Sequence, residues 1–215
     1  ADMYRRFGAF QCNLLLEGFY TRLNHVFVLE EIGKDEEHNA VIKERRNGQG
    51  AEVAGVTVEG KVAYLSLVQL QAGVTWQKSH YTRPEKWSKD SSVPAEKRIF
   101  RTPDWYGYFT ATYSPVKPLN IALSGTYTGS MIVQHMKGYI PKDMAVTTPD
   151  FFDMNLKISY DFSLYKFITL QLNAGVQNIF NAYQRDFDQG KERDSGYIYG
   201  PSMPRSYFAG AKLMF

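Results

Sequence analysis

FFDMNLKISY, residues 151–160, sets Phe152, Met154, Leu156, Ile158 and Tyr160 on one side of an extended chain and Asp153, Asn155, Lys157 and Ser159 on the other. Successive side chains of a strand point to opposite faces, so strict period two over ten residues specifies a strand with one apolar and one polar face. The pattern recurs at 168–176, where Ile168, Leu170, Leu172, Ala174 and Val176 alternate with Thr169, Gln171, Asn173 and Gly175. It recurs again at 68–76, with Val68, Leu70, Ala72, Val74 and Trp76 against Gln69, Gln71, Gly73 and Thr75.

Weaker copies extend the series. Cys12 to Tyr20, Val56 to Val62, Trp105 to Tyr113, Leu119 to Tyr127 and Tyr207 to Phe215 each keep an apolar or small residue at every second position. With a short segment near Val26 to Ile32 the count is about nine strands, most of them near the length that crosses a bilayer at a tilt. Short links are expected at 22–25, 63–66, 114–118 and 161–166, and long polar ones at 78–103, 132–150 and 184–203. Short turns on one edge and long loops on the other are what a bacterial membrane barrel requires. Tyr20, Tyr64, Trp76, Trp105, Tyr113, Tyr127 and Tyr160 fall at or near the expected strand ends, where amphipathic rings meet lipid headgroups.

Composition narrows the alternatives. Aromatics make up 15% of the 215 residues, yet no run approaches the roughly 20 apolar residues of a membrane helix. The net charge of +3 is small and scattered, so no nucleic-acid partner is expected. The single cysteine, Cys12, forms no internal disulfide and reads as a small apolar strand residue. His25, His38, His80 and His135 lie far apart, and neither an HExxH, a G-x-S-x-G elbow nor a P-loop occurs. The carboxylate pairs Glu30 with Glu31 and Glu36 with Glu37 fall in a polar stretch and read as solvated. No enzyme, cofactor or metal site is expected.

The last third of the chain resembles the C-terminal end of the TonB-dependent receptor family. GVQNIFNAYQRDF, 175–187, is similar to the family's penultimate-strand pattern through Val176, Asn178, Ile179, Phe180 and Tyr183. PSMPRSYFAGAKLMF, 201–215, is similar to the family ending through Pro204, Arg205, Tyr207, Gly210 and Phe215, and GFYTRLNHVFVLEE, 18–31, resembles a strand-turn-strand of the same barrels. The resemblance implies an all-β, antiparallel up-and-down transmembrane barrel of 22 strands, of which residues 1–215 supply the C-terminal nine or so. It implies short periplasmic turns, long extracellular loops and a plug carrying a Ton box for TonB; neither plug nor Ton box is visible in this chain. It further implies that the barrel-assembly machinery reads Tyr207 and the terminal Phe215, and that the whole protein imports a ferric chelate, haem, cobalamin or a similar scarce nutrient across a Gram-negative outer membrane. ADMYRRFGAF at the start lacks the pattern of a signal peptide, so a fragment or mature segment is expected.

Two other readings stand beside it: a complete small outer-membrane barrel with a structural or adhesive role, and a soluble ligand-binding β-barrel with polar residues outside and apolar ones inside. Within 78–103, seven cations (Lys78, Arg83, Lys86, Lys89, Lys97, Arg98 and Arg101) meet three carboxylates, an excess that raises the local concentration of anions. His80, Tyr81, Trp87, Arg98 and Arg101 are therefore the candidate ligand residues, facing the anionic chelates that the resemblance implies. The same cations could instead bridge the phosphates of lipopolysaccharide.

Overall fold

The computed structural model describes residues 1–38 and 40–215; the side chains of Glu30, Glu31 and Lys34 lie outside the described set, and with them the Glu30 and Glu31 carboxylate pair. The strands, in chain order, are β1 (Asp2–Phe7), β2 (Phe10–Leu23), β3 (Phe27–Asp35), β4 (Ala40–Asn47), β5 (Ala51–Tyr64), β6 (Val68–Glu85), β7 (Glu96–Arg98), β8 (Trp105–Val116), β9 (Leu119–Thr128), β10 (Ile132–His135), β11 (Met144–Thr147), β12 (Phe151–Tyr165), β13 (Ile168–Gln177) and β14 (Ser206–Met214). One antiparallel sheet runs β1-β2-β5-β6-β8-β9-β12-β13-β14, with β7 added beside the far end of β6. β3 with β4, and β10 with β11, form separate hairpins.

Directly opposed residues of antiparallel strands share a face, so the register joins the alternating patterns into continuous rows. One row crosses all nine strands as Arg5, Cys12, Val62, Leu70, Ala111, Leu123, Leu156, Val176 and Tyr207, with Arg5 of the edge strand its one charged member. The neighbouring row on the opposite face reads Tyr4, Asn13, Lys61, Gln71, Thr110, Ser124 and Asn155. Exposure is inverted relative to a water-soluble fold. In β6, Val74 and Trp76 are 44% and 41% exposed, while Thr75 and Gln77 between them are 5% and 8%. The polar face is hydrogen-bonded internally: Gln71 donates to Glu59 (3.0 Å) and Tyr108 (2.8 Å), and Gln171 donates to Asp161 (2.8 Å). This arrangement is the reverse of the apolar-inside pattern that a soluble barrel requires.

The nine wall strands differ in membership from those expected. The segment near Val26 to Ile32 is β3, which pairs with β4 outside the wall, while Asp2–Phe7 takes its place as β1. Local alternation marks a strand but not its neighbour. The 22–25 link is accordingly no tight turn: it opens the excursion 24–50, across which Leu23 pairs with Ala51. The other connections shift too. β6 runs on to Glu85, so the expected 78–103 loop begins only at 86, and the 132–150 loop contains the β10–β11 hairpin. β12 continues to Tyr165, leaving Tyr160 five residues inside the strand.

The corrected connections sort by length. Links 8–9, 65–67, 117–118 and 166–167 lie at one end of the sheet, and 24–50, 86–104, 129–150 and 178–205 at the other. On the apolar face of β2, Phe10 and Tyr20 stand ten residues apart. That is roughly 34 Å of strand, or about 26 Å of height at a tilt of about 40°, which matches the apolar band of a membrane barrel. Paired aromatics mark both borders, Phe10 with Tyr64 (4.7 Å between centroids) at the short-turn end and Trp76 with Trp105 (6.3 Å) at the other. Gly175 is needed where it stands, because a Cβ there would come within 2.3 Å of the Leu156 carbonyl and 2.5 Å of the Phe208 ring that lies over it. No helix among the described residues is long and apolar enough to cross a membrane.

Candidate ligand site at the long-loop end

Among the described residues, the six buried apolar ones, Ala51, Ile132, Val133, Phe151, Tyr197 and Tyr199, belong to the long loops or to the strand ends beneath them. Val133, Phe151, Tyr197 and Tyr199 form a small core, with Met131, Val146 and Ala182 packed against it. The loops 86–104, 129–150 and 178–205 thus carry packing of their own.

Polar ties complete the assembly. Arg101 sits at φ 59°, its amide donates to Ile132 O (2.8 Å), and its guanidinium donates to Ile198 O (2.7 Å) and to Gly196 O. One residue therefore touches all three loops. Ser88 donates to Asp143, which also accepts the Lys137 amide (2.7 Å). The His135 ring stacks on Tyr197 (3.7 Å between centroids, 5° between planes) while its Nε2 meets the Asp188 carboxylate at 2.9 Å. Asp186 accepts the Tyr197 hydroxyl (2.8 Å) and the Tyr199 hydroxyl (2.7 Å). Burial acts to raise the Asp186 pKa, but hydrogen bonds from the Tyr199 and Tyr197 hydroxyls, its own backbone amide and Gln184 together outweigh it and hold the carboxyl below its ordinary value. Burial, and then the bond to Asp186, push Tyr199 up to about 12 and Tyr197 further still. Asn178 starts the last loop at φ 50°, a conformation Asn tolerates, and its amide group bonds Ala182 O (2.9 Å), Met203 O (2.8 Å) and the Ala182 amide (2.8 Å).

The sequence candidates do not converge on one point. His80 is on β6, paired in register with Arg98 of β7, and its Nε2 lies 3.6 Å from Glu52. Tyr81 follows on the opposite, inward face; burial and then Glu85 raise its pKa. Trp87 donates to Pro94 O (3.1 Å) and meets Phe100 edge-on. Arg98, 3.7 Å from Glu96, lines a cleft of about 210 Å³ with Thr102, Trp105, Tyr127, Ser130 and Thr147. Arg101 is held by the carbonyls just described. On the edge strand β14, Tyr207, beside the long-loop end, is 74% exposed, and Phe215, past the opposite end, is 87% exposed. Asp143, Gln184, Asp186, Asp188, Tyr197 and Tyr199 were not among the candidates; their one sequence signal is the Asp-x-Asp and Tyr-x-Tyr spacing, which puts each like pair on one side of an extended segment. Among the described residues no three His, Cys, Asp or Glu side chains converge as a metal site.

Residues 5–179 match the family model for the TonB dependent receptor-like β-barrel. The chain belongs to this family. It is similar in structure to the ferric-catecholate import receptor Fiu of E. coli K12, with TM-score 0.56 and 20% identity over 96% of this chain and 25% of that one. Against the siderophore receptor PirA of Acinetobacter baumannii the values are 0.59 and 15%, over 100% of this chain and 31% of that one. The FrpB iron transporter of Neisseria meningitidis gives 0.57 and 16%, over 97% and 29%. At these identities the likeness shows the fold, and this TonB-dependent receptor barrel segment spans between a quarter and a third of each relative's length. No curated protein matches the chain.

Proposed function

We propose that the chain is the C-terminal nine-strand sector of a 22-stranded, TonB-dependent outer-membrane receptor of a Gram-negative bacterium, which imports an anionic metal chelate or a similar scarce nutrient and catalyses no reaction. The observation that carries this is the inside-out wall, apolar outside and hydrogen-bonded within, capped at one end by a folded body of three loops. The capped end is then extracellular and the tight turns periplasmic, with the plug that contacts TonB supplied elsewhere in the protein. Tyr207 and Phe215 face outward where the assembly machinery would meet the last strand.

Among the ligand candidates, the inward parity of Tyr81 and the position of Trp87 just beyond it support contact with cargo. Arg101 supports that surface by fixing the loops. The excess of cations over carboxylates in 78–103 favours anionic cargo by steering. The test is uptake by the full receptor of a labelled ferric catecholate, with haem and cobalamin as alternatives, in cells with and without TonB. Import of at least one cargo should fall to background without TonB, and a fall in its association rate on changing Trp87 to Ala would locate the capture surface. Equal import with and without TonB refutes the reading.

A further inference from the structure

The polar ties of the loop body leave out the fourth long connection, 24–50. That connection is fixed at its base by one buried carboxylate. In β6, Tyr81, Arg83 and Glu85 keep the inward parity of Thr75 and Gln77. Glu85 is 8% exposed. One of its oxygens accepts the Gln49 amide at 3.0 Å, and the other lies 3.7 Å from the Arg46 guanidinium. Its partner in register is Glu96 of β7, so the hairpin, the wall and the first loop of the body meet at this residue.

The two faces of the β3–β4 hairpin differ. Val28 pairs with Arg46, whereas Phe27 pairs with Asn47 and Leu29 with Arg45. Val28 and Arg46 are half-buried, while Phe27 and Leu29 are 73% and 63% exposed. The Val28 and Arg46 face is therefore the one turned toward β6. The base of the hairpin is locked on both sides of Gln49. The Gly48 amide donates to Val26 O (2.8 Å), and the Thr82 amide to Gly50 O (2.8 Å). Gly50 leaves no room for a side chain, since a Cβ would come within 2.9 Å of the Leu23 carbonyl. With the base so held, the bond from Gln49 to Glu85 sets the angle at which the hairpin leaves the wall. A carboxylate buried to this degree is costly unless paired and hydrogen-bonded, and Arg46 and the Gln49 amide offset that cost.

We propose that Glu85 is a positioning residue for cargo capture, holding the β3–β4 hairpin beside Tyr81 so that the hairpin's Arg46 face becomes a fourth wall of the capture surface. The inference rests on the reading of the chain as a receptor for anionic cargo. Glu85 touches no cargo itself; it presents Arg46 from the hairpin and, by parity, stands next to Arg83 of the wall. Two guanidiniums beside the Tyr81 ring suit the oxygens of an anionic chelate. Arg45, the neighbour of Arg46, lies on the opposite face and takes no part.

The full receptor, purified in detergent, is titrated with a labelled ferric catecholate, or with haem where cells import that instead. Glu85→Ala should weaken binding at least about fivefold and Arg46→Gln at least about threefold, while Arg45→Gln stays within about 1.5-fold of wild type. Two measurements need no cargo. Hydrogen exchange across 27–47 should rise in Glu85→Ala. In Glu85→Gln, which keeps an acceptor for the Gln49 amide, Tyr81 should ionise at lower pH than in wild type, because the Glu85 charge that helps to raise it is gone. Phenolate absorbance with and without Tyr81→Phe reads that change, which a merely structural role for Glu85 would not produce; it decides the matter if Glu85→Ala does not assemble. Wild-type binding by Glu85→Ala, equal losses in Arg45→Gln and Arg46→Gln, or an unmoved Tyr81 titration overturns the proposal and leaves the receptor reading intact. Import of every cargo without TonB overturns the receptor reading instead.

Discussion

Replacing Ile158 with Arg tests the orientation of the wall at its centre. Ile158 lies six residues from Phe152 and six from Leu164 on the outward face of β12, opposed to Ile121 on one side and Ala174 on the other. Six residues are roughly 20 Å of strand, or about 15 Å of depth at the usual tilt, which sets this position at the bilayer midplane. An Arg there has no polar neighbour within its row and should cost about 2–4 kcal/mol. The adjacent Ser159, opposed to Asn120 and Asn173 on the polar face, should accept Arg at a cost of about 0.5 kcal/mol or less, as surface changes usually do. Denaturant titration of the full receptor in phospholipid vesicles, the two variants side by side, measures the difference. A Ser159→Arg receptor as destabilised as the Ile158→Arg one would mean that the two faces are assigned the wrong way round.

Two further outcomes concern the loop body. Asn178 is 3% exposed and its amide group makes three hydrogen bonds, so Asn178→Ala should cost about 2–4 kcal/mol and raise hydrogen exchange across 178–205 while leaving β5 and β6 unchanged. The titrations have opposite signs. The carboxyls of Asp186 and Asp188 titrate below their ordinary 3.8, so their stabilisation is complete above that value and is lost as pH falls below it. Tyr199 is raised from 10.0 to about 12, so its share is complete below pH 10 and is lost between pH 10 and 12; phenolate absorbance with and without Tyr199→Phe should show one late-ionising tyrosine removed.

The strands were legible because a wall between lipid and a polar interior enforces period two over ten or more residues, as in 151–160 and 168–176. Pairing was less so. The short apolar run Val26 to Leu29 marks β3 as a strand like those of the wall, yet it folds on β4, and only the long-range register of β2 with β5 reveals it. β1 was missed because DMYRRF carries charge on both faces. The loop body was illegible for a different reason: His135 and Asp188 stand 53 residues apart, and the partners of Arg101 are main-chain carbonyls, which any sequence supplies. The outward place of His80 is half legible, since the even alternation through Trp76 continues to Lys78 and His80 while the polar residues that follow Trp76 look like loop.

The pairing of Leu23 with Ala51 has a consequence for how such a wall can change. β2 and β5 keep an unbroken register of fourteen pairs although the residues between them form a hairpin of their own. The seam is therefore indifferent to what is inserted between its two lips. A lineage can lengthen, shorten or exchange that hairpin without a compensating change anywhere in the membrane-facing rows.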